Sequence, residues 1–191
     1  QATTSGLADL KLTAEARQVL QEPGWTAQLG LTIDDLSRFS PELKTRVAAK
    51  LETQGTLQDF QLSGKIDTEL PEVGPINTDL ALSGNTQALR IKRLELTTPQ
   101  HPLSFTAKGD VDLASQKIDI GVRWKAVAWP LTGDPQVQSP QGELAVKGTP
   151  KDYQLQLQAD LISTEAGPLK ASLEAAGTDQ RAKLNKLSLQ S

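Results

Sequence analysis

The sequence contains no cysteine and no methionine, and histidine occurs once, as His101. The absence of cysteine excludes disulfide bonds, thiolate metal sites and a cysteine nucleophile. It also fits an oxidising compartment, where free thiols are a liability. A single histidine with no paired nucleophile or metal ligand does not form a catalytic constellation. His101, which precedes Pro102, is therefore interpreted as an exposed turn residue.

Aromatic residues make up only 4% of the chain, and the formal net charge is −3 at pH 7. A compact globule would carry more Phe, Tyr and Trp, because these residues dominate core burial. Lys and Arg do not cluster, so no nucleic-acid partner is expected. No stretch reaches the roughly 18 consecutive apolar residues of a membrane-spanning helix.

Motifs for catalysis and for metal or nucleotide binding are also missing. Asp110 and Asp112 lie on one face of a predicted strand, but no further acidic ligands complete a calcium loop. They are interpreted as a solvated strand face. The glycines between Gly55 and Gly84 stand too far apart for a nucleotide-binding loop. The chain is therefore predicted not to be an enzyme, with no catalytic residue, no metal site and no cofactor.

The feature that is present is an internal repeat. The stretch Gly55–Leu96 returns without a gap as Gly148–Leu189. The matched positions include Gly55 and Gly148, Asp67 and Asp160, Gly74 and Gly167, Gly84 and Gly177, and Leu94 and Leu187. An offset that matches glycines and apolar residues together indicates a repeat architecture, in which one unit needs a neighbour to bury its apolar face. Two tandem units, residues 2–96 and 97–189, are predicted to form one continuous elongated domain.

Within each unit, apolar and polar residues alternate, as in Ile118–Trp124, Tyr153–Leu161 and Leu169–Ala175. This period of two predicts half-buried strands, and the short Gly-containing links between them predict antiparallel neighbours. The fold class is predicted as all-β: an elongated, curved, antiparallel-type sheet of about twelve strands in two tandem repeats. Because no strong helical pattern can cover the sheet, its concave face is predicted to be an apolar, taco-like β-groove.

Local propensity conflicts with the repeat in two places. Pro41–Leu51 has the start signals and spacing of a helix, yet its repeat partner, Pro140–Val146, contains a glycine and alternates. The repeat favours a strand over Thr45–Gln54, and by the same reasoning a strand over Ala14–Leu20. A short helical turn is expected near Asp34–Phe39.

Over residues 89–96, the apolar residues occupy odd-numbered positions up to Ile91 and even-numbered positions from Leu94 onward. The same kind of change, from even to odd, occurs between Leu184 and Leu187. A slip of one residue moves a side chain to the other face of a sheet. A bulge at Lys92-Arg93 and another at Asn185-Lys186 would restore a continuous apolar face.

Two tryptophans, Trp124 and Trp129, flank the segment 125–128. They could form an aromatic lip at an apolar groove or membrane surface, or they could simply pack in the core. Trp25 begins a predicted strand and has no separate role.

Several motifs then suggest a family. They are Ile33-Asp34-Asp35-Leu36, Ser40-Pro41-Glu42-Leu43, Leu51-Glu52-Thr53-Gln54-Gly55-Thr56-Leu57, Trp129-Pro130-Leu131 and Ser139-Pro140-Gln141-Gly142-Glu143-Leu144, together with the Gly55–Leu96 unit. Most of the chain resembles the periplasmic repeats of the TamB family and, more distantly, AsmA-like proteins.

The resemblance implies a long curved sheet with an apolar concave face. It also implies a periplasmic location, within a protein anchored in the inner membrane of a Gram-negative envelope. The implied roles are phospholipid movement toward the outer membrane and support of outer-membrane biogenesis. An outer-membrane assembly partner of the TamA type would be bound through other parts of the full protein. The sequence lacks the family's membrane anchor, so the chain is interpreted as an internal fragment.

Three hypotheses remain open at this stage. The first is a hydrophobic groove that conducts phospholipid between the inner and outer membranes by holding its acyl chains. The second is a chaperone or assembly scaffold for outer-membrane or autotransporter proteins, which adds a client strand to an exposed sheet edge. The third is a structural β spacer with a closed core. For the groove, the predicted lipid-binding residues are Leu62, Ile66, Leu80, Leu82, Ile91, Leu94, Leu96, Val111, Leu113, Ile118, Ile120, Val122, Trp124, Leu144, Val146, Leu155, Leu157, Leu169, Leu173, Leu184, Leu187 and Leu189.

Overall fold

The computed structural model describes residues 9–17, 24–35, 37, 45–56, 58–70, 73–131 and 133–191. Over these residues the chain is all-β, with antiparallel strands and no α-helix, which confirms the all-β, antiparallel part of the predicted fold class. The strands are β1 (Asp9–Arg17), β2 (Gly24–Ile33), β3 (Arg46–Thr56), β4 (Phe60–Leu70), β5 (Gly74–Gly84), β6 (Ala88–Thr97), β7 (Ser104–Asp112), β8 (Lys117–Trp129), β9 (Val137–Thr149), β10 (Asp152–Ser163), β11 (Gly167–Gly177) and β12 (Ala182–Gln190).

The chain divides into two compact units. The first unit contains residues 1–86 and 92–101, and the second contains residues 87–91 and 102–191. Within each unit, strands that are neighbours in the sheet are neighbours in the chain. This order follows from the short links between strands, which favour hairpin pairing of consecutive elements. The predicted repeat boundary between residues 96 and 97 stays a prediction.

Glycines mark the turns that begin β5 and β11. Gly74 has φ 79° and Gly167 has φ 73°, in the region that side chains other than glycine rarely occupy. Gly84 and Gly177 end the same two strands. The glycines that the sequence offset matches therefore lie at the same points of β5 and β11.

The strand prediction for Thr45–Gln54 is confirmed, because residues 46–56 form β3. Helix propensity loses here because the segment pairs with β2 and β4 along its whole length, which places Ala49 opposite both Leu31 and Ile66. The segment 14–17 is likewise strand, within β1, and residues 18–20 lie outside the described part. Of the predicted helical turn near Asp34–Phe39, residues 36, 38 and 39 also lie outside it.

The predicted bulge in the last strand is confirmed. Glu174 lies opposite Lys186, and the next residue, Ala175, lies opposite Leu184, so Asn185 is an extra residue in β12. The corresponding bulge at Lys92-Arg93 in β6 stays a prediction.

Candidate functional site: an apolar sheet face in each unit

The register of the first unit assigns each side chain to one side of the sheet. Residues directly opposite each other in an antiparallel pair point to the same side, and successive residues alternate. Leu29 lies opposite both Leu12 and Leu51, and the register continues without a shift through Gly64 to Leu80. One side of β1–β5 therefore collects the apolar residues and glycines. We call it the apolar face of the first unit.

This face carries no charged side chain on the described strands β1–β5. Its polar members are the hydroxyl residues Thr53, Thr68 and Thr78. The opposite side carries the charges, including a Lys65–Asp79 pair with a nitrogen–oxygen distance of 3.9 Å. The first unit is therefore an amphipathic sheet.

The second unit repeats this division. Val122 lies opposite Ala107 and Leu144, and Leu157 lies opposite Leu144 and Leu173. The bulge at Asn185 brings the edge strand into phase, so β12 adds Leu184, Leu187 and Leu189 to the same side. We call this side the apolar face of the second unit. It is also free of charged side chains over the described strands β7–β12.

The polar side of the second unit carries cross-strand ion pairs. Lys147 Nζ lies 3.2 Å from Asp119 Oδ2, and Arg90 Nε donates a 2.6 Å hydrogen bond to Asp110 Oδ1. This hydrogen bond, together with the carboxylate charge, raises the pKa of Arg90. Both partners are more than half exposed, so the pair contributes little to stability.

Asp112 ends β7 and holds the following turn. The backbone N–H of Ser115 donates a 2.7 Å hydrogen bond to Asp112 Oδ1, and this bond lowers the pKa of the carboxyl group. Asp110, Asp112 and His101 are all exposed, as predicted. Among the described residues, no group of His, Cys, Asp and Glu could hold a metal ion.

Nothing described in the structure covers either apolar face. Among the described residues, the only buried hydrophobic side chains are Ala49, Leu103 and Ala159, and no large side chain is fully buried. Leu187 and Leu189 are 59% and 60% exposed. The strand contacts within each unit join strands that are neighbours in the sheet, and no described element forms a second layer over them. Among the described residues, the apolar side chains are thus shielded only by one another.

The predicted lipid-binding residues separate into three groups. Those on the two apolar faces are Leu62, Ile66, Leu80, Leu82, Val111, Ile118, Ile120, Val122, Trp124, Leu144, Val146, Leu155, Leu157, Leu169, Leu173, Leu184, Leu187 and Leu189. Ile91, Leu94 and Leu96 lie in β6, on sides that the described pairings do not assign. Leu113 lies in the turn after β7 and is 52% exposed, with its backbone N–H bonded to the Gln87 carbonyl oxygen.

The predicted lipid-binding residues omit several residues of the apolar faces in both units. In the first unit they include Leu12, Leu29, Leu31, Val47, Leu51, Phe60 and Ile76, and in the second unit Phe105, Tyr153 and Leu161. The repeat offset was the signal that could have found several of them. It matches Leu29 and Leu31 with Val122 and Trp124, which were both predicted to bind lipid.

Two of the tryptophans lie opposite a glycine of a neighbouring strand. Trp124 lies across Gly142, where a side chain would collide with the ring, and its Nε1 donates a 2.8 Å hydrogen bond to Ser139 Oγ. Trp25 lies opposite Gly55, and its Nε1 donates to Thr53 Oγ1 at 3.3 Å. Trp124 and Trp25 are both half-buried packing residues. Trp129 differs, because it is 69% exposed.

The fold and the two faces define an all-β protein that presents uncharged, uncovered apolar sheet surfaces. Among the described residues, no helix has the length and hydrophobicity needed to cross a membrane. Residues 100–191 match the family model described as TamB, N-terminal domain. This match over residues 100–191 supports the predicted membership of the TamB family. At the family level, these are bacterial envelope proteins of outer-membrane assembly and lipid transport. No solved structure matches the chain.

Proposed function

We propose that this chain is a periplasmic segment whose apolar faces hold phospholipid acyl chains and conduct the lipid between the inner and outer membranes. In this way it supports outer-membrane biogenesis. It would act as part of an inner-membrane-anchored protein that meets an assembly partner of the TamA type through other parts of the full protein. The segment itself performs no chemistry.

The observation that carries the proposal is the uncovered, uncharged face of each unit. Apolar surface exposed to water is costly, and each buried methylene contributes about 0.8 kcal/mol. An acyl chain laid on Leu155, Leu157 and their neighbours would remove both surfaces from water without leaving a buried charge unpaired. The polar side of the same sheet offers no such surface, because its ion pairs stay hydrated.

The closed-core spacer is the least favoured of the three hypotheses. A sealed core would contain fully buried large side chains, and the described residues contain none. The strand-addition hypothesis depends on a free sheet edge and does not need an apolar face. The uncharged face is therefore a specific reason to prefer lipid.

Photocrosslinking along one strand tests the proposal. Leu155 and Leu157 lie on the apolar face of the second unit, and Gln154 and Gln156 alternate with them on the polar side. A photoreactive residue at Leu155 or Leu157 should capture phospholipid in membranes, and the same residue at Gln154 or Gln156 should not. Equal capture at all four positions, or capture of unfolded client protein alone at the apolar positions, would reject the lipid conduit.

A charge placed on the face gives a second test. Leu157 is half-buried between Leu144 and Leu173. On a surface that is open to water, Leu157→Asp should block lipid transfer and leave the thermal melt close to that of the matched variant Gln156→Asp. In a sealed core, the same carboxylate would be buried without a partner and would cost several kcal/mol. A collapsed Leu157→Asp fold without lipid capture at any apolar position would favour the spacer.

A further inference from the structure

The exposed indole of Trp129 lies on a side of the sheet that sequence alternation does not predict. Trp129 lies five positions after Trp124, an odd offset, so strict alternation along β8 places the two on opposite sides. Trp124 is on the apolar face, opposite Phe105 and Gly142. Alternation alone would therefore put Trp129 on the polar side.

The backbone of β8 breaks this alternation at Ala126. Its φ is 51°, a left-handed conformation that is uncommon for a residue with a side chain. The pairing with β9 continues across it, from Lys125 opposite Gln141 to Val127 opposite Ser139. Both strands therefore change phase together at Ala126 and at Pro140, the residue between Ser139 and Gln141. A local irregularity of this kind re-aims the side chains that follow.

A hydrogen bond shows which side of the sheet the residues beyond the irregularity face. Trp124 Nε1 donates to Ser139 Oγ at 2.8 Å, so Ser139 points to the side that carries the Trp124 ring. Val137 is two residues before Ser139 on the same strand and shares that side. Trp129 lies directly opposite Val137 and shares it as well.

The other neighbour of β9 gives the same answer independently. The pairing of β10 with β11 runs without a shift from Tyr153 to Ser163, so Ser163 is in phase with Leu157 on the apolar face. Between β9 and β10 the register shifts after Asp160, and beyond the shift Val137 lies opposite Ser163. Both neighbours thus place Val137, and with it Trp129, on the apolar face.

We infer that Trp129 and Val137 continue the apolar face of the second unit beyond Ala126 and contact the acyl chain of a bound phospholipid. This inference rests on the proposed function. Trp129 is 69% exposed and Val137 is 39% exposed, so both surfaces are open to a ligand. An indole combines an apolar ring with a polar N–H, which suits the boundary between a lipid's acyl and ester groups.

Fluorescence of single-tryptophan variants of the full chain tests the inference. One variant keeps only Trp129 (Trp25→Phe and Trp124→Phe), and the other keeps only Trp124 (Trp25→Phe and Trp129→Phe). Each is loaded in solution, without vesicles, with phosphatidylcholine that carries bromine on its acyl chains, or with the unbrominated lipid. Bromine quenches an indole that it touches, so both variants should lose emission with the brominated lipid. A tryptophan placed on the polar side, at Gln156 in a background without the natural tryptophans, should not.

The outcomes separate this inference from the proposed function. Quenching of Trp124 without quenching of Trp129 would overturn the inference and leave the lipid-binding face standing. If neither is quenched, the proposed function itself fails. Quenching of Trp129 only after brominated vesicles are added would mean that it contacts a bilayer and no bound lipid, which also overturns the inference.

The turn at Ala126 supplies a positioning test. Ala126→Gly accepts a positive φ at no steric cost, so the Trp129-only variant should still be quenched by bound brominated lipid. Ala126→Val introduces a β-branched residue that disfavours this conformation. It should reduce the quenching of Trp129 while the quenching of Trp124 is retained. An unchanged Trp129 response in a folded Ala126→Val variant would contradict a positioning role for Ala126.

Discussion

The two units reach the same amphipathic arrangement by different routes. In the first unit the described pairings from β1 to β5 run without a register shift, so odd–even position along each strand is enough to assign a side chain to a face. In the second unit the phase changes twice, at Ala126 with Pro140 and at Asn185. A continuous apolar face therefore does not require a continuous alternation.

The glycines of the two faces also differ in what lies over them. Gly64 in the first unit is approached by the Leu51 side chain and by the backbone of Lys50. Gly142 in the second unit lies under the Trp124 ring. Gly121, on the polar side of the second unit, has open space around it. The apolar faces thus use glycine to admit a neighbouring strand's side chain.

The largest expected effect comes from filling a glycine of the regular unit. A Cβ at Gly64 would collide with the Lys50 carbonyl oxygen and lie 2.9 Å from the Leu51 Cα, and backbone atoms cannot move aside cheaply. Gly64→Val should lower the free energy of unfolding by about 3 kcal/mol, as overpacking does. Gly121→Val, with no heavy atom within 4 Å of the new Cβ, should change it by less than about 0.5 kcal/mol. Urea unfolding of both variants checks this contrast, and equal losses would contradict it.

The next effect concerns the confirmed bulge of the irregular unit. Deleting Asn185 should remove the bulge and leave Leu187 and Leu189 on the apolar face, because Leu184, Lys186 and Leu187 would then follow plain alternation against Ala175, Glu174 and Leu173. These side chains lie on an edge strand and are already more than half exposed, so the stability loss should be only about 1 kcal/mol. A photocrosslinker at Leu187 should therefore still capture lipid.

The matched contrast is deletion of Ser188, which pairs regularly with Ser172, so that no extra residue absorbs the loss. This deletion should move Leu189 to the polar side, and a photocrosslinker at position 189 should stop capturing lipid. Loss of capture at position 187 after the Asn185 deletion would contradict the assignment of Asn185 as the extra residue of β12.

A smaller effect should follow acidification of the turn after β7. The pKa of Asp112 is lowered by its hydrogen bond from Ser115. The ionised carboxylate therefore stabilises the turn above its unfolded-state pKa, and this contribution is lost as pH falls through the lower folded-state pKa. An NMR titration should show Asp112 titrating below an ordinary aspartate. Asp112→Asn should weaken the acid dependence of the thermal melt, and an unchanged dependence would assign it to other carboxyl groups.

The smallest effect is expected for the Arg90–Asp110 pair on the polar side of the second unit. Both side chains are more than half exposed despite the 2.6 Å hydrogen bond, and exposed ion pairs are screened by water and salt. Arg90→Ala, Asp110→Ala and the double variant should have melting temperatures within experimental error of the parent. A clear coupling between the two substitutions in a double-mutant cycle would mean that this pair does more than keep the polar side hydrated.

Much of the fold could be predicted from alternation and the repeat. The strand at β3 followed from its match to the segment that forms β9, against a helical signal over Pro41–Leu51 that the pairing of β3 overrides from Arg46 onward. The bulge at Asn185 followed from the parity of Leu184 and Leu187, because a bulge leaves a visible phase change in the sequence.

The irregularity at Ala126 is harder to recognise from the sequence. The apolar run from Val127 to Trp129 could be read in either phase, and the partner strand changes phase at Pro140 in concert. Only the paired strands together show which phase is adopted. From the sequence, the tryptophans could be interpreted as an aromatic lip or as packing residues. In the structure Trp124 packs and Trp129 is exposed.

The sequence by itself determined the strands, the turns and the separation of charged from apolar residues. These are local properties, because the pleat alternates side chains and glycine permits the turns. The tertiary structure decided which residues share a face where the alternation breaks. The φ of Ala126, the Trp124–Ser139 hydrogen bond and the Val137–Ser163 pairing join neighbouring strands and bring Trp129 to the apolar face. The physical reason is that strand phase beyond an irregularity is set by the neighbours that hydrogen-bond to it.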